Sequence, residues 1–259
     1  MTGVAAARTG KILRPLITLA GLVALWWGLG RWGGIPAYML PPPAAVARAL
    51  WTGRAQLLPA ALTTGEETLL GLVLGIGAGS ALAVAMALWT PLRRWIMPVV
   101  LFSQAVPVFA LAPLLVLWFG FGMASKVVMA VLVIFFPVTS ALGDGLRQTE
   151  AGWMDLARTM GATRLRVLAH VRLPAAMPSF ASGVRMATAI APIGAVVGEW
   201  VGASSGLGFL MQTANTRFQT DLMFAALAVL AAMTVLLWWG VDWLLVRALY
   251  WQPRHEDID

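Results

Sequence analysis

The chain has no cysteine and only two histidines, His170 and His255, in 259 residues. Without thiols there can be no disulfide, no thiolate metal site and no cysteine nucleophile. Two histidines far apart in sequence are too few for a histidine metal centre, and together the two shortages remove haem and iron–sulfur chemistry. Lysine is nearly missing too: Lys11 and Lys126 are the only two. The stretch Gly75-Ile-Gly77-Ala-Gly79 superficially looks like a phosphate-binding loop, but no Gly-Lys-Ser/Thr follows it. This chain does not hydrolyse nucleotide itself. Charge of either sign is scarce, at 11% of residues against 60% hydrophobic. A soluble domain of this length needs a far more charged surface.

What the chain does have is long uncharged runs. Thr68–Leu92, Trp95–Ser125, Val127–Gly143 and Leu222–Val241 contain no Asp, Glu, Lys or Arg, and Met186–Thr216 contains only Glu199. A helix needs about 20 apolar residues to cross a bilayer core of roughly 30 Å, so these runs read as spans. Arg8, Lys11 and Arg14 precede a further run, Pro15–Gly30. Its length, and the lack of a small-x-small cleavage site after it, favour a retained first helix over a cleaved signal peptide. The expectation is an all-α polytopic membrane protein with six spans at about 13–32, 66–90, 95–118, 126–144, 183–203 and 222–246.

The net charge of +7 is a matter of topology rather than of nucleic-acid binding. With the N-terminus in the cytoplasm, thirteen of the 18 Lys and Arg residues fall inside. Only Arg31, Arg48, Arg54, Lys126 and Arg217 fall outside, as the positive-inside rule requires. Both termini are then cytoplasmic, and so is the 145–182 segment.

Pro41-Pro42-Pro43 opens an outer segment in which Val46, Leu50 and Trp51 mark an amphipathic helix. It either rests on the membrane surface or forms a ledge for an external partner. Gly71, Gly75 and Gly79 recur every four residues and so share one helix face, smooth enough for another helix to approach closely. Pro98, Pro107 and Pro113 lie in the third span, where each removes a backbone hydrogen bond and favours a bend. Glu199 interrupts an apolar run, and an intramembrane carboxylate is costly enough to need a reason. It is a candidate for the translocation pathway, alongside Gln104, Gln212 and Asn215; the alternatives for Glu199 are an internal hydrogen bond or a place near the outer interface. Glu67 lies one turn before Gly71 on the smooth face and is expected to pair structurally.

The stretch Asp155–Pro174 is polar and rich in arginine, and its pattern is helical on both sides of Gly161. Leu156 and Met160 form one narrow apolar edge, and Leu165, Leu168 and Val171 another. Edges this small cannot form a core of their own, which favours a groove on another protein as their receiver. The segment resembles the cytoplasmic signature EAA-x3-G-x9-I-x-LP of inner-membrane permeases of binding-protein-dependent ABC importers. Asp155-Leu156-Ala157, Gly161, Val171 and Leu173-Pro174 keep the spacing throughout, with Asp for Glu, Leu for the first Ala and Val for Ile as departures.

Further likeness lies in Leu40-Pro41-x-Pro43, Pro113-Leu114, Trp118-Phe119-Gly120 and Gly206-Leu207-Gly208, which are similar to the sulfonate, taurine and nitrate permease group. Thr64-x-x-Glu67-x-x-x-Gly71, the run Ala191–Trp200 and Gln219–Phe224 look most like permeases of thiamine-pyrimidine (hydroxymethylpyrimidine precursor) importers. The resemblance implies a type I ABC importer permease fold in a bacterial inner membrane, paired as a homodimer. It also implies an extracytoplasmic solute-binding protein and cytoplasmic ATPase subunits that hold the ATP and Mg. This chain itself would bind no cofactor. In that family the signature forms coupling helices, so Asp155, Leu156, Ala157, Met160, Gly161, Leu165, Val171, Leu173 and Pro174 are the expected ATPase-coupling residues. Gly161 would permit the turn, and Pro174 would end the second helix. Alkanesulfonate, taurine or nitrate is the alternative cargo. An ion-coupled secondary transporter is a more remote reading, disfavoured by the absence of visible repeats.

Overall fold

A computed structural model describes residues 2–251, with side chains from residue 17 onward. The expected basic side chains Arg8, Lys11 and Arg14 lie outside the described side chains, and Arg254 and His255 lie outside the described residues. Among the described residues the secondary structure is helical, with no strand.

Two units make up the chain. The first comprises Met1–Pro59 and Leu210–Val229. In it α1 (Thr2–Trp32) runs through the first expected span. The proline run then stops helix formation: Pro42 is extended (φ −64°, ψ 148°), and Pro43 takes the first position of α2 (Pro43–Thr52), where its missing N–H costs nothing. Val46 and Ala49 of α2 are buried, while Trp51 is exposed. At the end of α2, a Cβ on Gly53 would come within 2.9 Å of Leu222. Trp26 of α1 stacks on Phe224, with ring centroids 5.9 Å apart.

The second unit, Ala60–Phe209 with Leu230–Asp259, contains the main helix packing. Its centre is α6 (Met123–Arg147), which lies against α3 (Arg54–Leu88) and α9 (Leu173–Gly202). The glycine stripe of α3 meets α6 directly. A Cβ on Gly71 would sit 2.4 Å from that of Ala130, and one on Gly75 would sit 2.7 Å from Ile134. On α9, Gly183 backs onto Pro137 and Ala141, and Gly194 onto Ala130. Small residues on both flanks therefore let three backbones approach closely, which is how helices gain van der Waals contact where lipid removes the hydrophobic drive. Leu72, Ile134, Val138, Val184 and Ala187 fill the remaining space.

Among the described residues, four helical stretches are long and apolar enough to cross a membrane: Arg54–Leu88, Met123–Arg147, Arg164–Gly202 and Thr220–Ala248. The last is α11. The region expected as one span at 95–118 is divided into α4 (Thr90–Ser103) and α5 (Val108–Phe119), which meet at 102°. Pro107 makes the break by holding an extended backbone (φ −60°, ψ 114°) ahead of α5. Pro98 and Pro113 sit inside their helices without ending them.

The expected loop 145–182 also differs. It holds α7 (Ala151–Thr159) and α8 (Arg164–Val167), and α8 runs through a π turn, Leu168–Arg172, straight into α9. Pro174 therefore does not end the second helix. It lies in the first turn of α9, and the wider turn before it, where the Leu173 N–H reaches Leu168 O, precedes the bond that proline cannot give.

Candidate coupling surface and buried polar cluster

The turn between α7 and α8 follows from three consecutive residues. Gly161 has φ +70°, a conformation that favours glycine. Its N–H bonds Arg158 O at 2.9 Å, and the Ala162 N–H bonds Ala157 O at 3.0 Å, so the last carbonyls of α7 are satisfied in a Schellman arrangement. Thr163 then caps α8, its hydroxyl accepting from the Arg166 N–H at 3.4 Å.

This hairpin divides the expected coupling residues by face. Leu156 (62% exposed), Met160 (77%) and Leu165 (65%) point away from the fold, joined by Trp153 (54%). Asp155, also exposed, pairs with Arg158 at 3.1 Å. Ala157 is buried, and Val171 and Leu173 are half-buried. Leu168 belongs to an inner cluster with Ala83, Leu142, Leu146 and Ala176, so the second apolar edge is largely turned inward. Arg172 fixes that inner face: its Nε and Nη2 donate to Leu146 O at 3.0 and 2.7 Å, tying the π turn to the end of α6. Sequence reasoning missed Trp153 and Arg172 as contributors. Trp153 was legible, three residues before Leu156 on the same helix face; the Arg172 contact spans two elements and was not.

A second constellation lies at the opposite end of α9. Glu199 and Glu67 are each 1% exposed, and Lys126 is also buried. Lys126 Nζ lies 3.5 Å from Glu67 Oε1. The Thr64 hydroxyl donates to Glu199 Oε1 at 2.5 Å and accepts from the Leu207 N–H at 2.8 Å. Glu199 Oε2 accepts from the N–H of Gly208 at 2.5 Å and of Phe209 at 3.4 Å. These amides open α10 (Leu207–Thr216), so a carboxylate from α9 occupies the positive end of a helix as an anion would. The loop must be glycine to allow it. Gly206 has φ +111°, and a Cβ there would lie 2.3 Å from the Glu199 carboxyl carbon.

Of the readings open for Glu199, the geometry matches internal hydrogen bonding: both its oxygens are engaged and the group is buried. Gln104 is exposed just past the end of α4, and Gln212 and Asn215 are exposed on α10. Lys126, counted among the outer charges, is also the buried partner of Glu67. The signal was present, since a lone lysine opens an apolar run in a chain with one other.

Residues 71–248 match the family described as binding-protein-dependent transport system inner membrane component. The chain is 49% identical to a probable ABC transporter permease of Haemophilus influenzae, over 93% of this chain and 98% of that one. It is 36% identical to a formylaminopyrimidine transport permease of Halalkalibacterium halodurans, over 88% and 92% respectively. Permeases named for riboflavin in Chloroflexus aurantiacus (38%; 86% and 84% covered) and for taurine in Escherichia coli (32%; 92% and 90%) are similar as well. In three dimensions the chain resembles the inward-facing methionine ABC transporter MetNI, with a TM-score of 0.61 at 20% identity, covering 77% of this chain and 96% of that one.

Proposed function

The chain belongs to the binding-protein-dependent transport system inner membrane components, with the type I ABC importer permease fold, and from that premise we propose that it imports a thiamine-pyrimidine precursor as a homodimer driven by two cytoplasmic ATPases. A solute-binding protein delivers the cargo from outside, and ATP and Mg reside on the ATPases. Both termini are cytoplasmic.

The exposed apolar face of Trp153, Leu156, Met160 and Leu165 carries the coupling part of this reading. A face of this kind is stable in water only when another protein covers it. When the ATPases close, they move the hairpin, and its second arm α8 moves as one piece with α9 because no break lies between Arg164 and Gly202. At its far end α9 carries Glu199, which grips the start of α10. A displacement received on α7 thus passes through the Gly161 turn to α8, and from there reaches the start of α10 along the continuous Arg164–Gly202 helix.

The cargo part is supported by the 36% identity to the formylaminopyrimidine permease. The similarity to the taurine permease favours an alkanesulfonate as the second reading. Growth of a pyrimidine-requiring strain on limiting thiamine pyrimidine, with and without this gene, separates the two. Loss of growth supports the pyrimidine; unchanged growth with lost sulfonate use replaces it by the second reading.

A further inference from the structure

Behind the exposed hairpin face, between α7, α8 and the corner joining α3 to α4, lies a groove of about 480 Å³. Arg158, Arg164 and Arg172 line it, with Leu88, Thr90 and Met154. It shares Ala87, Thr90 and Arg172 with an adjoining cavity of about 190 Å³ that adds Arg93 and Arg147. The only acidic side chain in the two linings is Asp144, which Arg147 already engages. Arg172 spends Nε and Nη2 on Leu146 O, leaving Nη1, and Arg158 spends only Nη1 on Asp155. The Arg164 guanidinium has no partner among the described residues. Guanidinium groups gathered in a concavity with so little countercharge call for an anion, and the planar fork suits the oxygens of a phosphate.

The depth of the groove points to the source of that phosphate. Leu88 and Thr90, in its lining, flank Trp89 at the α3–α4 corner; Trp89 and Trp95 are both exposed there, beside Arg93 and Arg94. Exposed tryptophans at the end of a span mark the headgroup level of a bilayer. Leu88 is itself partly exposed and offers an apolar wall to an acyl chain.

We infer that this groove binds the phosphate of an anionic phospholipid, with Arg164 and Arg172 as its principal ligands and Arg158 at the rim. The lipid ties the hairpin to the α3–α4 corner. It sits on the face opposite Trp153, Leu156 and Met160, so it does not compete with whatever covers those residues. The site rests on the membrane reading of the chain but not on its cargo or its ATPase.

The test uses the full chain with any subunits that accompany it, in nanodiscs of phosphatidylcholine containing a minor share of phosphatidylglycerol. Native mass spectrometry then reads the lipid retained. Phosphatidylglycerol should be enriched among retained lipids, and Arg164→Gln should lower that retention roughly tenfold, as loss of one charge-assisted contact does. Arg164→Lys should recover part of it. Arg94→Gln, outside the groove lining, should leave it unchanged. Equal retention in wild type and Arg164→Gln overturns the site. Complete displacement by inorganic phosphate overturns the lipid as its ligand in favour of a soluble anion. Enrichment that disappears only when an ATPase subunit is present overturns it in favour of an acidic protein segment.

Discussion

The Thr64 hydroxyl and the Glu199 carboxylate meet at 2.5 Å although 135 positions separate them in the chain. Thr64 also accepts the Leu207 N–H, so one small side chain joins α3, the end of α9 and the start of α10. Thr64→Val keeps the shape but deletes the donor to a buried carboxylate and the acceptor for a buried amide. It should lower stability by about 1–3 kcal/mol, read as a lower unfolding midpoint of the detergent-solubilised protein. Thr64→Ser should restore most of the loss. A Thr64→Val protein as stable as wild type would remove this junction from the account.

Lys126 and Glu67 form a pair buried from both sides. Removing one member strands the other charge, which typically costs about 3–5 kcal/mol, whereas removing both together costs much less. Lys126→Met should therefore reduce the amount of folded protein in membranes sharply, and Lys126→Met with Glu67→Leu should recover a large part of it. If the double variant accumulates no better than the single one, the pair is not the reason Lys126 is buried.

The small-residue face of α3 separates cleanly from its open face. Gly75→Val has to fit against Ile134, where even a Cβ would lie at 2.7 Å, while Gly77 has nothing within 4 Å. Overpacking of this kind costs about 1–3 kcal/mol. Gly75→Val should expose the protein to thermal aggregation at a lower temperature than wild type, and Gly77→Ala should match wild type. Equal behaviour of the two variants would contradict the close approach of α3 and α6.

Most of the architecture was legible because lipid imposes simple rules. Uncharged runs mark spans, four-residue glycine spacing marks a contact face, and Gly161 marks a turn that needs positive φ. The division of 95–118 was half legible: three prolines announced a bend, but only backbone geometry decides that Pro107 alone breaks the helix. Pro174 misled because a proline usually closes a helix, and nothing local reveals a π turn that lets the helix continue. Glu199 was half legible: its cost in lipid calls for a reason, but the groups that engage it, Thr64 and the amides of Gly208 and Phe209, come together only through tertiary structure.

The central claim is that ATP-driven import enters this chain through the outward face of its hairpin. The most direct measurement is ATP-dependent uptake of labelled thiamine-pyrimidine precursor into proteoliposomes containing the permease, its ATPase and its binding protein, compared between wild type and Leu156→Asp/Met160→Asp. Both positions are well exposed, so the variant should insert and unfold like wild type. It should lose ATPase co-purification and lower uptake by at least about tenfold, as expected when charges replace apolar anchors at an interface centre. Uptake at the wild-type rate by that variant would contradict the claim.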